Sequence, residues 1–409
     1  MSEYGLLKGI RVIDLCTYVA GPASVKLLAD MGADVIKVEP AAGDNTRFGA
    51  SAFEVPSTLE EGPIYEIYNF GKRNISIDLK TKQGMEVFYK LLETADVFVT
   101  SNRQKALEKM GLDYDSLKER FPGLVYGHLL GFGDKGPLKD YPGLDSTAFM
   151  ARSGIMTDIA KEGDCLSVTP YAFGDTSTGT ALFGAICAAL VHKQRTGEGK
   201  RVAVSLYGAS IWYGACMVAC TQEAYGAKFP KKRSECIPTA TTYCCADGEW
   251  VLPTVLNYAL FRPMCKALEM EEIADDPKFS SFGKMMKHTT ELVEIFEKAF
   301  KRFDSKEVIK RMLAANIPCD AVYHYKDVSK DEQAWANDYL TEVTFRNGHK
   351  AVLPQNPITI SGDTRIPFKH SAYIGENTME ILKDLGYSEA ECEDMVKNNI
   401  VASNLPPEN

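Results

Sequence analysis

Short apolar runs alternate with longer amphipathic ones through the first half of the chain. Ile10–Leu15 (IRVIDL) is a run of branched apolar residues, the pattern of a strand buried on both faces. Gly21-Pro22 punctuates it. Ala23–Met31 then repeats apolar positions at helical spacing as far as Gly32, a residue suited to end a helix. Asp34–Glu39 (DVIKVE), Asn74–Leu79 (NISIDL), Asp96–Thr100 (DVFVT) and Leu124–Leu129 (LVYGHL) read as further strands. Helices are predicted at Gln83–Thr94 and around Tyr114–Arg120. Strand and helix repeated in this order predict a parallel sheet with helices on its faces. Such sheets bind ligands beyond the carboxyl ends of their strands. The first strand-to-helix turn, CTYVAGPAS, lacks GxGxxG, which argues against NAD or FAD.

After Gly199, Arg201–Leu206 (RVAVSL) alternates like a strand, and Tyr207–Ala224 predicts one long apolar helix. Lys228–Arg233 is a basic linker interrupted by proline. From Thr241 to about Ile317 a smaller unit opens with a hairpin around Asp247-Gly248. It continues with helices near Leu256–Leu268, Thr289–Phe303 and Ser305–Ala315. Strands return from about Asp327, and a helix near Thr378–Leu385 closes the pattern. The organisation expected is a discontinuous large domain, residues 1–225 and 326–409, with a small domain at 226–325.

A chain of 409 residues exceeds what one hydrophobic core usually serves, which agrees with two domains. Its net charge of -9 argues against general binding to nucleic acid or an anionic membrane. No apolar stretch reaches the ~20 residues of a membrane span; the longest, Ala181–Val191, fits a buried helix. The opening MSEYGLLKGIRVIDL has no basic region or cleavage site of a secretory signal. The 11 cysteines, Cys165 among them, are therefore read as reduced thiols of a cytoplasmic protein. Cys244-Cys245 are adjacent and Cys216/Cys220 lie one helical turn apart. Neither makes a CxxC, so no metal site is expected.

The segment richest in chemistry is Tyr171–Leu190, YAFGDTSTGTALFGAICAAL. Gly174-Asp175 precedes small and hydroxyl residues and then an apolar helix. A carboxylate at or just before a helix start is favoured by free N–H groups and the helix dipole. Gly174, Gly179 and Gly184 keep bulk away, so another molecule or chain can come close. Two roles are open for Asp175: a plain N-cap, which the spacing alone favours, or an ionised attacking group. The roles are compatible.

GLLKGIRVIDLCTYVAGPASVKLLADMGADVIKVEPAAGDNTR, NFGKRNISIDLKTKQG, ALEKMGLDYDSLKERFPGLVY, GFGDKGP, TGEGKRVAVSL and GENTMEILKDLGYS occur in that order. Together they resemble the family III CoA-transferases (formyl-CoA transferase or CaiB/BaiF type) over nearly the whole chain. The resemblance implies an α/β fold: a Rossmann-like large domain with a parallel sheet, a smaller α/β domain, and an interlocked homodimer. It implies catalysis on the carboxylate of Asp175, which matches the family's Gly-Asp segment. It also implies that a coenzyme A thioester and a carboxylic acid are substrates, with no permanently bound cofactor. By match to the family, Lys72, Arg73, Arg103 and Lys109 are candidates for the CoA phosphates. Met110 and Phe132 are candidates for the apolar wall of its channel, with core packing the alternative for Phe132.

Related racemases carry a His base in a Gly-His-Asp motif. Here the segment reads Gly143-Leu144-Asp145, and Leu144 cannot act as a base. Racemisation, and a catalytically silent CoA-binding protein, are the alternatives kept. His128 falls in a strand and reads as a core histidine. Val19 stands where oxalate-specific members carry a polar residue, and the tetraglycine run of those members is missing between Lys231 and Thr242. Both departures argue against formate or oxalate. Val19, Leu144 and Gly174 are the expected substrate pocket. TSNRQKALEKMGLDYDSLKE, PGLDSTAFMARSG and DEQAWANDYL are similar to the branch that activates (R)-2-hydroxy acids from an enoyl- or acyl-CoA.

Overall fold

The computed structural model describes residues 5–49, 53–159, 170–362 and 367–404; Cys165 lies outside them. The chain divides into two compact units. One joins the described residues up to Met156, those from 170 to Cys220, and those from Glu332 onward; the other holds residues 157–159 and Thr221–Asp331.

In the first unit, β1 (Arg11–Leu15), β2 (Asp34–Glu39), β3 (Arg73–Ile77), β4 (Val97–Thr100), β5 (Val125–Leu130) and β6 (Arg201–Ser205) form one parallel sheet. In the second, β7 (Tyr243–Cys244), β8 (Trp250–Pro253) and β9 (Cys319–Ala321) form an antiparallel sheet. The first unit adds a hairpin of β10 (Leu340–Thr344) and β11 (Lys350–Pro354), then β12 (Val401–Ala402). The main sheet runs β12-β3-β2-β1-β4-β5-β6, with β12 antiparallel to β3. The order 3-2-1-4-5-6 is doubly wound. Chain direction across the sheet reverses between β1 and β4, where such folds open a ligand crevice.

Buried branched residues explain the strands: all four residues of β4 and all six of β5 are buried. One face is covered by α1 (Ala20–Asp30) and α3 (Phe173–Thr196). Their Leu28, Leu182 and Ile186 pack with Val12, Val97 and Val125. The opposite face carries α2 (Lys82–Glu93), whose Val87, Phe88 and Leu91 meet Ile13, Phe98 and Tyr126. A Cβ on Gly179 would lie 2.6 Å from the Ala20 carbonyl oxygen, so α1 and α3 cross at glycine distance. The second unit has its own core, in which Tyr243 stacks on Phe300 at 4.4 Å.

Two expectations need correction. The helix predicted at Tyr207–Ala224 breaks at Gly214 into Leu206–Tyr213 and Ala215–Cys220. The chain does not end its regular structure near Leu385: a helix at Glu389–Lys397 follows Thr378–Asp384, and β12 then joins the main sheet. Gly184 is exposed and meets nothing within 4 Å inside the chain, which leaves its face open to another molecule or chain. Among the described residues, no helix is long and apolar enough to cross a membrane, and the cysteines are free thiols.

Candidate active site

A cavity of about 580 Å³ opens at the carboxyl ends of the strands, on both sides of the β1/β4 reversal. Thr17–Ala20 after β1, Asn45 and Thr46 after β2, Ser101–Gln104 after β4 and Leu129–Gly131 at the end of β5 line it. Leu144, Asp145, Tyr171, Ala172 and Asp175 line it from the other side.

Asp175 lies in the first turn of α3, two residues inside its start. The N-cap position is Ala172, held at φ +57°, and no side chain caps it. The plain-cap reading of Asp175 is therefore overturned: its carboxylate is left facing the cavity, half-buried. Burial first, and then the neighbouring charge of Asp145, raise its pKa to about 7. Asp145 opens a short π-helical turn, Asp145–Ala151. Burial raises its pKa as well, opposed by the backbone N–H groups of Gly174 and Asp175. Its Oδ1 is nevertheless buried without a hydrogen-bond partner at proper geometry. Two carboxylates thus share one apolar corner. The Tyr68 hydroxyl is beside them, 2.9 Å from Thr176 Oγ1, and feels both charges.

Close backbone packing holds this corner. A Cβ on Gly174 would fall 2.3 Å from Asp145 Oδ1 and from the Phe149 ring. Gly131 and Gly143 also touch backbone to backbone: a Cβ on Gly131 would be 2.9 Å from the Gly143 Cα. That contact ties the end of β5 to the Leu144–Asp145 loop.

A buried ionic network supports the turns on the β1–β2 side. Asp44 accepts from the N–H groups of Tyr18 and Thr46 at 3.3 and 3.0 Å, and from Lys37 Nζ at 3.0 Å. Burial works against the Lys37 charge, but Asp44, Asp14 and Glu39 outweigh it and raise its pKa. Glu39 in turn binds Arg47 through both carboxylate oxygens, at 2.9 and 3.1 Å.

Of the residues singled out in the sequence, Val19, Arg103, Leu144 and Asp175 line the cavity, and Gly174 lies directly behind Asp175. Lys72 does not. Its Nζ is buried against Asp14 Oδ2 (2.9 Å), the Pro22 carbonyl (3.0 Å) and Asn69 Oδ1 (3.1 Å), so its donors are used inside the fold. Arg73 begins β3 at the opposite, amino edge of the sheet. It is forked onto Asp34 at 3.0 and 2.7 Å and also meets Glu380. Met110 packs into the core beside Leu107 and Tyr126, while Lys109 is exposed and outside the cavity lining. Phe132 packs on the core and against Tyr207 rather than lining the cavity. His128 is a strand histidine bonded to the Asn102 carbonyl at 2.9 Å and to Arg201.

Sequence reasoning missed Asp145, Lys139, Tyr18, Phe53 and Tyr171 as cavity residues. Asp145 carried a signal, standing beside Leu144 in the motif already weighed. The others are brought together only by the tertiary fold.

A doubly wound α/β sheet with two carboxylates in a cleft at its reversal point is the architecture of α/β proteins that bind ligands beyond their strand ends. Residues 7–378 match CoA-transferase family III, and the chain belongs to that family. It is 37% identical to (R)-2-hydroxy-4-methylpentanoate CoA-transferase of Clostridioides difficile, over 97% of this chain and 99% of that one. It is 33% identical to cinnamoyl-CoA:phenyllactate CoA-transferase of Clostridium sporogenes, over 97% of each. Among solved structures, a CaiB/BaiF family protein of Brucella suis matches with a TM-score of 0.78 and 26% identity, covering 94% of this chain and all of that one. The enzyme is a family III CoA-transferase.

Proposed function

We propose that the enzyme moves CoA from an acyl-CoA, an enoyl-CoA in particular, to an (R)-2-hydroxy acid through covalent intermediates on Asp175. The observation that carries this reading is the Asp175 carboxylate itself. It faces the cleft from the first turn of α3, poorly solvated and with its pKa raised to about 7. A carboxylate stripped of water is a stronger nucleophile, and its exchange with another carboxylate is close to thermoneutral.

In the first step an Asp175 oxygen attacks the thioester carbonyl. The C–S bond breaks, leaving a mixed anhydride and CoA thiolate. The thiolate attacks the aspartyl carbonyl, releases the donor acid and forms an aspartyl-CoA thioester. The acceptor carboxylate attacks that carbonyl and expels the thiolate, which then takes the acyl group from the new anhydride and frees Asp175. The names of the two clostridial relatives support a 2-hydroxy acid acceptor. Leu144, in the place of the racemase base, supports transfer over α-proton exchange. Arg103 and Lys139, both exposed on the cavity wall, are the cations best placed for CoA phosphates. A homodimer belongs to the same reading.

The test is trapping. Incubation with acyl-CoA and hydroxylamine is expected to leave a hydroxamate on Asp175, detected by peptide mass spectrometry, and Asp175→Asn is expected to abolish CoA exchange. An unmodified Asp175 peptide, or near-normal exchange in the variant, would overturn the proposal.

A further inference from the structure

Two aromatic rings stand over the cleft with no part in the chemistry above. Phe53 and Tyr171 both line the cavity that holds Asp175. Their centroids are 4.6 Å apart at an interplanar angle of 81°, an edge-to-face pair. Tyr171 is 65% exposed and sits two residues before the start of α3. The next residue, Ala172, is a non-glycine held at φ +57°. Left-handed backbone is costly for such a residue and persists where the surroundings enforce it, often at ligand sites. Here it sets the step from Tyr171 into the helix that carries Asp175, two positions before Gly174. Leu144, 56% exposed on the same cavity, extends the apolar surface toward the carboxylates. A half-buried ring, an exposed ring and an exposed leucine gathered in one concave site mark a surface kept for an apolar ligand group.

We infer that the Phe53–Tyr171 pair, with Leu144, is the element that selects the acid: it receives a branched or aromatic side chain of the acyl group transferred at Asp175. The inference rests on the covalent reading above and deepens it. Rings in edge-to-face contact present two flat surfaces at a wide angle, a corner suited to an isobutyl or benzyl group. A methyl group would leave that corner hydrated and gain little from it. The Tyr171 hydroxyl has no role in this selection.

The test measures kcat/KM for a branched six-carbon 2-hydroxy acid and for lactate with a fixed acyl-CoA donor, alongside hydroxylamine trapping at Asp175. The wild type is expected to prefer the larger acid. In Phe53→Ala and Tyr171→Ala the ratio of the two values is expected to fall by about 10- to 100-fold, mostly through KM for the larger acid. Tyr171→Phe and Phe53→Leu are expected to keep most of it. If trapping succeeds in the wild type but Phe53→Ala loses both acids equally, or keeps the wild-type ratio, the ring pair is not the selector while the covalent reading stands. Failure of trapping in the wild type would sink the covalent reading instead.

Discussion

Asp175 is charged at a cost, and that cost has a pH signature. Its carboxyl is held at about 7 in the folded protein against an ordinary value near 3.8. Between those values the unfolded chain is ionised while the folded one holds the proton, so stability is lost as pH rises through the window. Replacing the carboxylate by an amide removes the penalty. Asp175→Asn is expected to be more stable than the wild type by on the order of 2 kcal/mol above pH 7, allowing for solvent contact, with no gain near pH 4. Thermal unfolding across that range checks it. In the proposed mechanism the attacking form is the ionised one, so kcat/KM of the wild type is expected to fall as pH drops below about 7. Burial is the main cause and Asp145 the second, so Asp145→Asn should shift this acid limb to lower pH. Asp175 itself was legible as a Gly-Asp pair before an apolar helix. Its exact place in the first turn was not, because Ala172 gives no local sign that it takes up the αL conformation at the helix start.

At the scale of elements, helix contacts depend on which glycines face a neighbour. Gly179 and Gly184 lie on the same helix and look alike in sequence. Only the first meets α1, where an added Cβ would sit 2.6 Å from the Ala20 carbonyl oxygen and 2.9 Å from the Ala23 Cβ. Gly179→Ala is expected to destabilise by about 1–3 kcal/mol, because two packed helices must separate. Gly184→Ala, with nothing in reach, should stabilise by roughly 0.5–1 kcal/mol through backbone entropy. Denaturant titrations of the two variants read both signs. Strand β4 was legible within a residue because a buried parallel strand is a continuous apolar run, and the branched Val35, Ile36 and Val38 marked β2 although Lys37 and Glu39 interrupt its run. The Tyr207–Ala224 pattern misled, since apolar periodicity continues across Gly214 while the helix does not.

Over the whole molecule, the basic residues that family resemblance nominated go three ways, with Lys109 exposed and outside the cleft. Lys72 and Arg73 are held by acids of the fold, whereas Arg103 faces the cleft. Nothing in a linear sequence tells a lysine paired with a buried aspartate 58 residues away from one waiting for a phosphate. Lys72→Ala is expected to cost about 3–5 kcal/mol, because it strands the Asp14 charge inside the protein. Arg103→Ala and Lys139→Ala should leave unfolding nearly unchanged and raise KM for the acyl-CoA several-fold. The effect should weaken at high salt. Unfolding curves and initial rates at two ionic strengths separate the classes. The sheet's extra edge also escaped the sequence: Val401–Ala402 is too short to show a period, and only its pairing with β3 makes it a strand.

The glycine contact between residues 131 and 143 has an evolutionary implication. Main chain against main chain fixes the loop in place, so the side chain immediately after it has no share in holding the scaffold together. Position 144 therefore behaves as a socket whose occupant can be exchanged while the architecture around it stays still. One framework can then present a different side chain to the cleft by a change at that single place.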